Sequence, residues 1–397
     1  MDKQSETKKG TIWEVLGVSL KLGLTSFGGP VAHIGYFREE YVKRRQWLDE
    51  KSYADLVALC QFLPGPASSQ VGMSIGILRA GLLGGIASWA GFTLPSALAL
   101  VVFAMLVRSY DLAQSGWLHG LMIVSVAVVA QAVWGMARTL APDRTRGTIA
   151  VLTAIITLIW PTAYSQLILI AAAGIFGRLF LPKAEIPKAS EGVPFLSKRI
   201  AVISWMLFTI LLLGLPLLRQ LYPSQWLAMF DSFYRVGSLV FGGGHVVLPM
   251  LEAEVVPTGW ITNSQFLAGY GAAQAVPGPL FTLSAYIGAI MNGWLGALIA
   301  LLAMFLPSYL LVVGTLPLWG AIRRRPNFQA ALQGINAAVV GILLAALFNP
   351  VWTSAIHNAY DFSLTLAAFA LLMLWKLPPW VVVVLTAVGG SLLAVLF

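Results

Sequence analysis

Charge is what this chain has least of. Only 10% of its 397 residues are Asp, Glu, Lys or Arg, while 58% are hydrophobic. A soluble protein of this size carries about 25% charge, so water is excluded as the solvent for most of the chain. Cysteine is nearly missing too. The lone Cys60 rules out a disulfide within the chain and a thiolate metal cluster, and reads as a small buried hydrophobe. The four histidines, His33, His119, His245 and His357, lack the spacing of a metal site. No Ser/His/Asp set, phosphate-cradling glycine loop or zinc-protease motif occurs, so the residues point away from an enzyme and call for no cofactor. Carboxylates inside the apolar runs are scarcest of all, which argues against a carboxylate relay and against a cation as substrate.

What fills the chain instead is continuous apolar sequence in runs of about 13 to 28 residues, with 14 Trp and 11 Tyr suited to interfacial belts. Barrel strands would alternate over short segments, so the expected fold is an all-α polytopic membrane protein in a lipid bilayer. The formal net charge of +9 sits mostly in loops, where membrane orientation explains it without nucleic acid. Lys8 and Lys9 precede the first apolar stretch, but no small-residue cleavage site follows, so that segment is expected to stay.

Glycine and proline recur in a pattern. Lys21, Gly23, Phe27-Gly28-Gly29, Glu40, Trp47, Gln61, Pro64-Gly65-Pro66, Gly76, Gly84 and Pro95-Ser96 are answered by Arg235, Gly237, Phe241-Gly242-Gly243, Glu254, Trp260, Gln274, Pro277-Gly278-Pro279, Gly288, Gly296 and Pro307-Ser308. The copies lie about 213 positions apart, the mark of an internal duplication. Helix-breaking residues repeated inside apolar segments are the sign of a transporter.

Loop charge orients the copies. Arg38, Lys43, Arg44, Arg45 and Lys51 crowd residues 38 to 52, whereas the matching loop, 251 to 264, has no Lys or Arg and holds Glu252 and Glu254. The next pair reverses, with Arg108 alone against Arg323, Arg324 and Arg325. Then Arg138, Arg144 and Arg146 face a loop, 349 to 361, with no basic residue. Basic loops stay in the cytoplasm, so the alternation predicts two homologous halves of inverted topology. The expected division is 1–185 for the first repeat, 186–225 for a cytoplasmic linker and connecting helix, and 226–397 for the second repeat.

Orientation also turns each break into an expected re-entrant hairpin. Residues 12–37 turn at Gly28-Gly29-Pro30, 53–79 at Pro64-Gly65-Pro66, 226–250 at Gly242-Gly243-Gly244 and 266–292 at Pro277-Gly278-Pro279. Full crossings are expected near 80–107, 117–137, 147–160, 164–180, 200–221, 293–318, 331–349, 362–375 and 379–396.

Broken backbone at membrane depth lines a cavity or is buried in protein, and free N–H groups at helix starts attract anions. Candidate anion ligands are therefore the turn residues Phe27, Gly28, Gly29, Pro30, Pro64, Gly65, Pro66, Phe241, Gly242, Gly243, Gly244, Pro277, Gly278 and Pro279. Lys21 and Arg235 add matched positive charge within apolar stretches, and Ser26, Ser68, Ser69, Gln274 and Thr282 add neutral polar groups. His33 and His245 stand next to the two Phe-Gly-Gly turns as titratable candidates.

Thr25-Ser26-Phe27-Gly28-Gly29-Pro30 with Ala32-His33-Ile34, Phe62-Leu63-Pro64-Gly65-Pro66, Phe241-Gly242-Gly243-Gly244-His245 with Val247-Leu248-Pro249, Val276-Pro277-Gly278-Pro279, and Gly334-Ile335-Asn336-Ala337-Ala338-Val339-Val340 resemble the chromate ion transporter family in its long, two-domain type. The resemblance spans nearly the whole chain. It implies a multi-pass protein of the bacterial inner membrane that exports chromate, a tetrahedral dianion, and so confers chromate resistance. The alternative is a transporter or channel for sulfate, of the same shape and charge, or for another inorganic anion. Homodimer formation stays open on this reading.

Overall fold

The computed structural model describes residues 10–109, 115–160, 162–182, 197–241, 244–319 and 326–396. Gly242, Gly243, Arg323, Arg324, Arg325 and residues 183–196 of the expected linker lie outside them. Among the described residues every element is helical. The first half runs α1 (Ile12–Thr25), α2 (Gly29–Phe37), a π-helical turn (Arg38–Arg44), α3 (Glu50–Phe62), α4 (Ala67–Ser109), α5 (Gly116–Leu140), α6 (Arg144–Ile159) and α7 (Ala163–Phe180). After α8 (Lys198–Leu221), the second half repeats the order as α9 (Gln225–Leu239), α10 (Val247–Val255), α11 (Asn263–Ala275), α12 (Leu283–Thr315), α13 (Pro326–Ala346), α14 (Ala359–Met373) and α15 (Pro379–Leu396).

Several helices start where the sequence supplies a cap. Thr11, Asp49, Asp143, Thr162, Ser197, Thr262 and Asn358 accept a backbone N–H from the first turn that follows them. Asp49 and Thr262 occupy equivalent places in the two repeats, so the duplication extends to the caps.

Helices α4 and α12 each contain a reversal. Ala80-Gly81 and Asn292-Gly293 leave helical geometry, with Gly81 at φ 72° and Gly293 at φ 62°. Gly76 and Gly84 then meet backbone to backbone, as do Gly288 and Gly296, where an added Cβ would stand 2.1 to 2.3 Å from a facing carbonyl oxygen. Residues eight apart in a straight helix are separated by about 12 Å, so the chain folds back at both points. The matched glycines of the sequence are the contact faces of these two helical hairpins.

Among the described residues, five helical stretches are long and apolar enough to cross a membrane: Ala67–Arg108, Gly116–Leu140, Lys198–Leu221, Leu280–Leu318 and Gln329–Ala355. Ser165–Phe180, Ala359–Met373 and Pro379–Val395 are shorter apolar helices. The expected crossing at 147–160 does form a helix, α6, but its 16 residues fall short of the roughly 20 a bilayer requires, and they begin with Arg144 and Arg146.

The two halves interlock. Helix α4 packs along α12 at the centre, with α1 against α4 and α9 against α12 as equivalent contacts. Outside them, α5 packs on α14 and α15, while its counterpart α13 packs on α6 and α7. Small residues permit the close approach: Gly120 lies on the Thr386 backbone, Gly116 on Gly390, and Gly177 on Ala330 and Gly334.

Loops sort to two ends. Gly10 donates to the Arg79 carbonyl at 3.0 Å, Arg79 pairs with Glu14, and the Arg79 guanidinium lies over Trp47, so the start of the chain, the 38–51 turn and residue 79 share one end. About 26 residues of helix, near 40 Å, separate residue 82 from Arg108, which lies beside Gly293 at the other end.

Candidate functional site

The four breaks meet through two reciprocal hydrogen bonds. Gly65 N–H, in the first Pro-Gly-Pro, donates at 2.7 Å to the Val240 carbonyl, the residue before the second Phe-Gly-Gly. Gly278 N–H, in the second Pro-Gly-Pro, donates at 2.9 Å to the Ser26 carbonyl, the residue before the first. Each half thus closes on the other through the same pair of motifs. His33 ties the two sets together, since its Nδ1 lies 3.2 Å from Ser68 Oγ just past the first Pro-Gly-Pro, and its ring packs edge-on against Phe92.

Glycine is required at these turns. Gly28 (φ 96°) caps α2, Gly29 follows at φ 78° with Pro30 in the first turn of that helix, and Gly65 and Gly278 sit at φ 112° and 100°. Pro64 and Pro66 flank the break between α3 and α4, and Pro277 and Pro279 the break after α11. Gly244 opens a short 3-10 turn that leads into α10, while Gly242 and Gly243 lie outside the described residues. Phe27 packs on Trp380, and Phe241 is half-buried.

Buried polar atoms collect around the breaks without a hydrogen-bond partner among the described residues. Ser26 Oγ, His33 Nε2, Ser69 Oγ and Gln274 Nε2 were expected from the sequence; Thr93 Oγ1 and Ser308 Oγ were not. A buried polar atom left unpaired costs about 1–3 kcal/mol, so each of these calls for an explanation. Ser308 and Ser96 press on the Pro-Gly-Pro glycine of the opposite half, their Oγ atoms standing 2.2 and 2.8 Å from where a Cβ on Gly65 or Gly278 would be. The repeated Pro95-Ser96 and Pro307-Ser308 pairs were the sequence signal for them.

Other expected ligands are engaged elsewhere. Thr282 gives its hydroxyl proton to the Pro279 carbonyl at 2.8 Å, capping the turn and leaving no proton for an anion. His245 Nδ1 lies 2.8 Å from the Tyr270 hydroxyl. The matched cations, expected to face the anion, instead meet the matched glutamates. Lys21 Nζ lies 3.0 Å from Glu40, and Arg235 grips Glu254 through both Nη atoms at 2.7 and 2.9 Å while its Nε reaches Asp231 at 3.1 Å. The reason is the fold-back: it returns residue 40 to the level of residue 21, and 254 to that of 235. The surroundings differ in sign. Glu40 also takes Arg44 and Arg45, whereas Arg235 and Arg219 are balanced by Asp231 and Glu254.

Comparison with known proteins is consistent with this duplication. The chromate transporter family model matches residues 13–178 and 227–391, one segment in each half. The probable chromate transport protein of Synechococcus elongatus is 29% identical over 385 residues, covering 94% of this chain and 93% of its own. The chromate transport protein of Pseudomonas aeruginosa is 27% identical over 380 residues, covering 93% and 89%. An uncharacterized transporter of Bacillus subtilis, YwrA, is 32% identical over 126 residues, 31% of this chain and 68% of its own. No solved structure matches the chain significantly.

Proposed function

The chain belongs to the chromate transporter family, and from that premise we propose that it is a secondary carrier exporting chromate across the bacterial inner membrane, so conferring resistance. The observation that carries this reading is the closure of the four helix breaks on one another through Gly65–Val240 and Gly278–Ser26, with unpaired buried hydroxyl, amide and imidazole groups around them. A tetrahedral dianion has acceptors on every face and takes N–H and O–H donors from several directions. Helices α2 and α4 begin at the breaks and add the positive ends of their dipoles.

Ser26, His33, Ser69, Thr93, Gln274 and Ser308 contact the oxyanion in this proposal, and the turn glycines supply backbone. Lys21 and Arg235 act as latches that hold each folded-back arm. The excess of cations around Glu40 draws the dianion to the cytoplasmic mouth. The two halves are taken to have opposite orientation, with each broken segment a re-entrant hairpin. Support comes from the end that gathers Arg38, Lys43, Arg44, Arg45, Lys51 and Arg79, against the far end, where the 251–264 and 349–361 loops carry no Lys or Arg. Access then alternates as one half rocks against the other about the breaks.

Inside-out vesicles holding the protein are expected to take up radiolabelled chromate saturably, at least about tenfold faster than vesicles without it, with sulfate as competitor measuring selectivity. Uptake no faster than the control overturns the proposal. The orientation has its own measurement. In a Cys60→Ala background, Lys51→Cys reacts with an impermeant thiol reagent only from the cytoplasmic side and Thr258→Cys only from outside. Labelling of both from one side defeats the inverted arrangement.

A further inference from the structure

One carboxylate expected in the 251–264 loop is placed instead on a helix. The carboxylate of Glu252, on α10, makes no hydrogen bond or ion pair among the described residues, although Glu254 two positions on is gripped by Arg235. Its surroundings are a small polar cavity of about 90 Å³, walled by Glu252, Thr157, Gln166 and Asn349 and closed by Pro249, Ala346 and their apolar neighbours. Thr157 is only 7% exposed, and its hydroxyl finds no hydrogen bond among the described residues. Glu252, with a half-buried carboxylate, and Thr157, with a buried hydroxyl, therefore line the same space.

The repeat shows that this is no inherited feature. Glu252 stands where the first half has Arg38, whose guanidinium holds Glu50 with two bonds of 2.8 Å. At the place of Glu50 the second half has Asn263, whose Oδ1 also lacks a partner. The two copies thus differ here: the first holds a neutral ion pair where the second holds a carboxylate with no partner among the described residues. On the elements packed against α10, the sequence places as charged or titratable groups Asp231, Tyr234 and Arg235 on α9, His245, Tyr270 on α11, and Tyr164 and Arg178 on α7. Arg235 is spent on Asp231 and Glu254, and His245 is bonded to Tyr270. Gln166 lines both this cavity and the crevice beside the Arg235–Glu254 latch, so it stands between the lone charge and that ion pair.

A carboxylate with neutral oxygens repels an oxyanion and suits a cation. One carboxylate balances one positive charge, whereas Ca²⁺ and Mg²⁺ sites draw on more anionic oxygens. The cavity has room for about three waters, enough for a proton carrier or a small ion. We propose that Glu252, Thr157, Gln166 and Asn349 form a site for one monovalent cation, a proton or a sodium ion, whose binding drives movement of the anion. The site rests on the carrier reading for its role, while its occupancy can be measured without chromate. When the cation binds, Glu252 becomes neutral, and the field on the neighbouring Arg235–Glu254 latch changes through Gln166.

Dicyclohexylcarbodiimide modifies protonated carboxyls in water-poor surroundings. Applied to the purified full chain in liposomes and read by peptide mass spectrometry, it is expected to label Glu252 and spare Glu254. Suppression on moving from mildly acid to mildly alkaline pH identifies a proton, and suppression by sodium at fixed pH identifies sodium. No label on Glu252, or label indifferent to both, overturns the site. In the second arm, a pH or sodium gradient of tenfold shifts the steady chromate ratio of the wild type about tenfold per ion coupled. Glu252→Gln is expected to keep chromate exchange without a gradient and to lose the gradient response. A response unchanged in that variant overturns the coupling, and loss of exchange in a folded Glu252→Gln does the same. Failure of the wild type to exchange chromate at all defeats the carrier reading instead, and leaves the labelling result to stand by itself.

Discussion

Gly65→Ala is expected to reduce chromate transport at least about tenfold in protein that still reaches the membrane. Two effects combine at this residue. Its φ of 112° lies where an L side chain is strained, at about 1–2 kcal/mol. The new Cβ would also stand 2.2 Å from Ser308 Oγ and 2.9 Å from Gln70 Nε2, and over-packing of that kind typically costs a further 1–3 kcal/mol, roughly. Relief requires α12 and the first Pro-Gly-Pro to part, which breaks the 2.7 Å bond from Gly65 to Val240. The geometry also ranks the variants. Gly278→Ala meets Ser96 Oγ at 2.8 Å and the Phe92 carbonyl at 3.2 Å, a softer obstruction that should leave more activity. Adding Ser308→Ala to Gly65→Ala removes the closest atom and should restore part of the stability lost, read as thermal unfolding, while φ and the loss of the Ser308 hydroxyl as an anion contact keep the rate below wild type. Initial uptake in vesicles, normalised to inserted protein, measures all three. A Gly65→Ala carrier running at the wild-type rate would sink the idea that the breaks touch at the working centre.

Much of this centre was legible because helix breaks announce themselves. Phe-Gly-Gly and Pro-Gly-Pro interrupt apolar runs, and the structure ends α1 at Thr25, α3 at Phe62 and α11 at Ala275, next to those motifs. The reversals at Ala80-Gly81 and Asn292-Gly293 fall at the expected segment boundaries, 79/80 and 292/293, but Gly81 and Gly293 are single glycines inside long apolar runs, and the contact of Gly76 with Gly84 is what the structure adds. Partnerships were hidden for a different reason. Glu40 and Glu254 stood out as matched, but their pairing with Lys21 and Arg235 depends on the angle at which an arm returns, which spacing does not encode. The same holds for Ser308. Its hydroxyl meets Gly65 across about 240 residues of chain, through an interlocking of halves that no local pattern specifies.

Arg235→Met should destabilise the protein far more than Lys21→Met, although the two residues are equivalent in the repeat. Arg235 is 17% exposed and its guanidinium serves Glu254 and Asp231, carboxylates 12% and 2% exposed. Asp231 would keep Arg219 at 3.4 Å, but Glu254 would be left alone in a half-apolar site. Stranding a buried charge costs about 3–5 kcal/mol. Lys21 is 47% exposed, and Glu40 retains Arg44 at 3.1 Å and Arg45 at 2.8 Å without it, so its loss falls in the range of surface pairs, about 0–1 kcal/mol. Thermal unfolding in detergent should therefore separate the variants clearly. The double variant Arg235→Met with Glu254→Met then tests what the arginine is for. A buried pair exchanged for apolar groups of similar volume is often neutral, so stability should return. Because every nitrogen of Arg235 is already bonded to Asp231, Ser232 or Glu254, transport should return with it. A double variant that is as stable as wild type yet carries no chromate would instead make Arg235 a ligand of the anion, released from Glu254 at some point in the cycle.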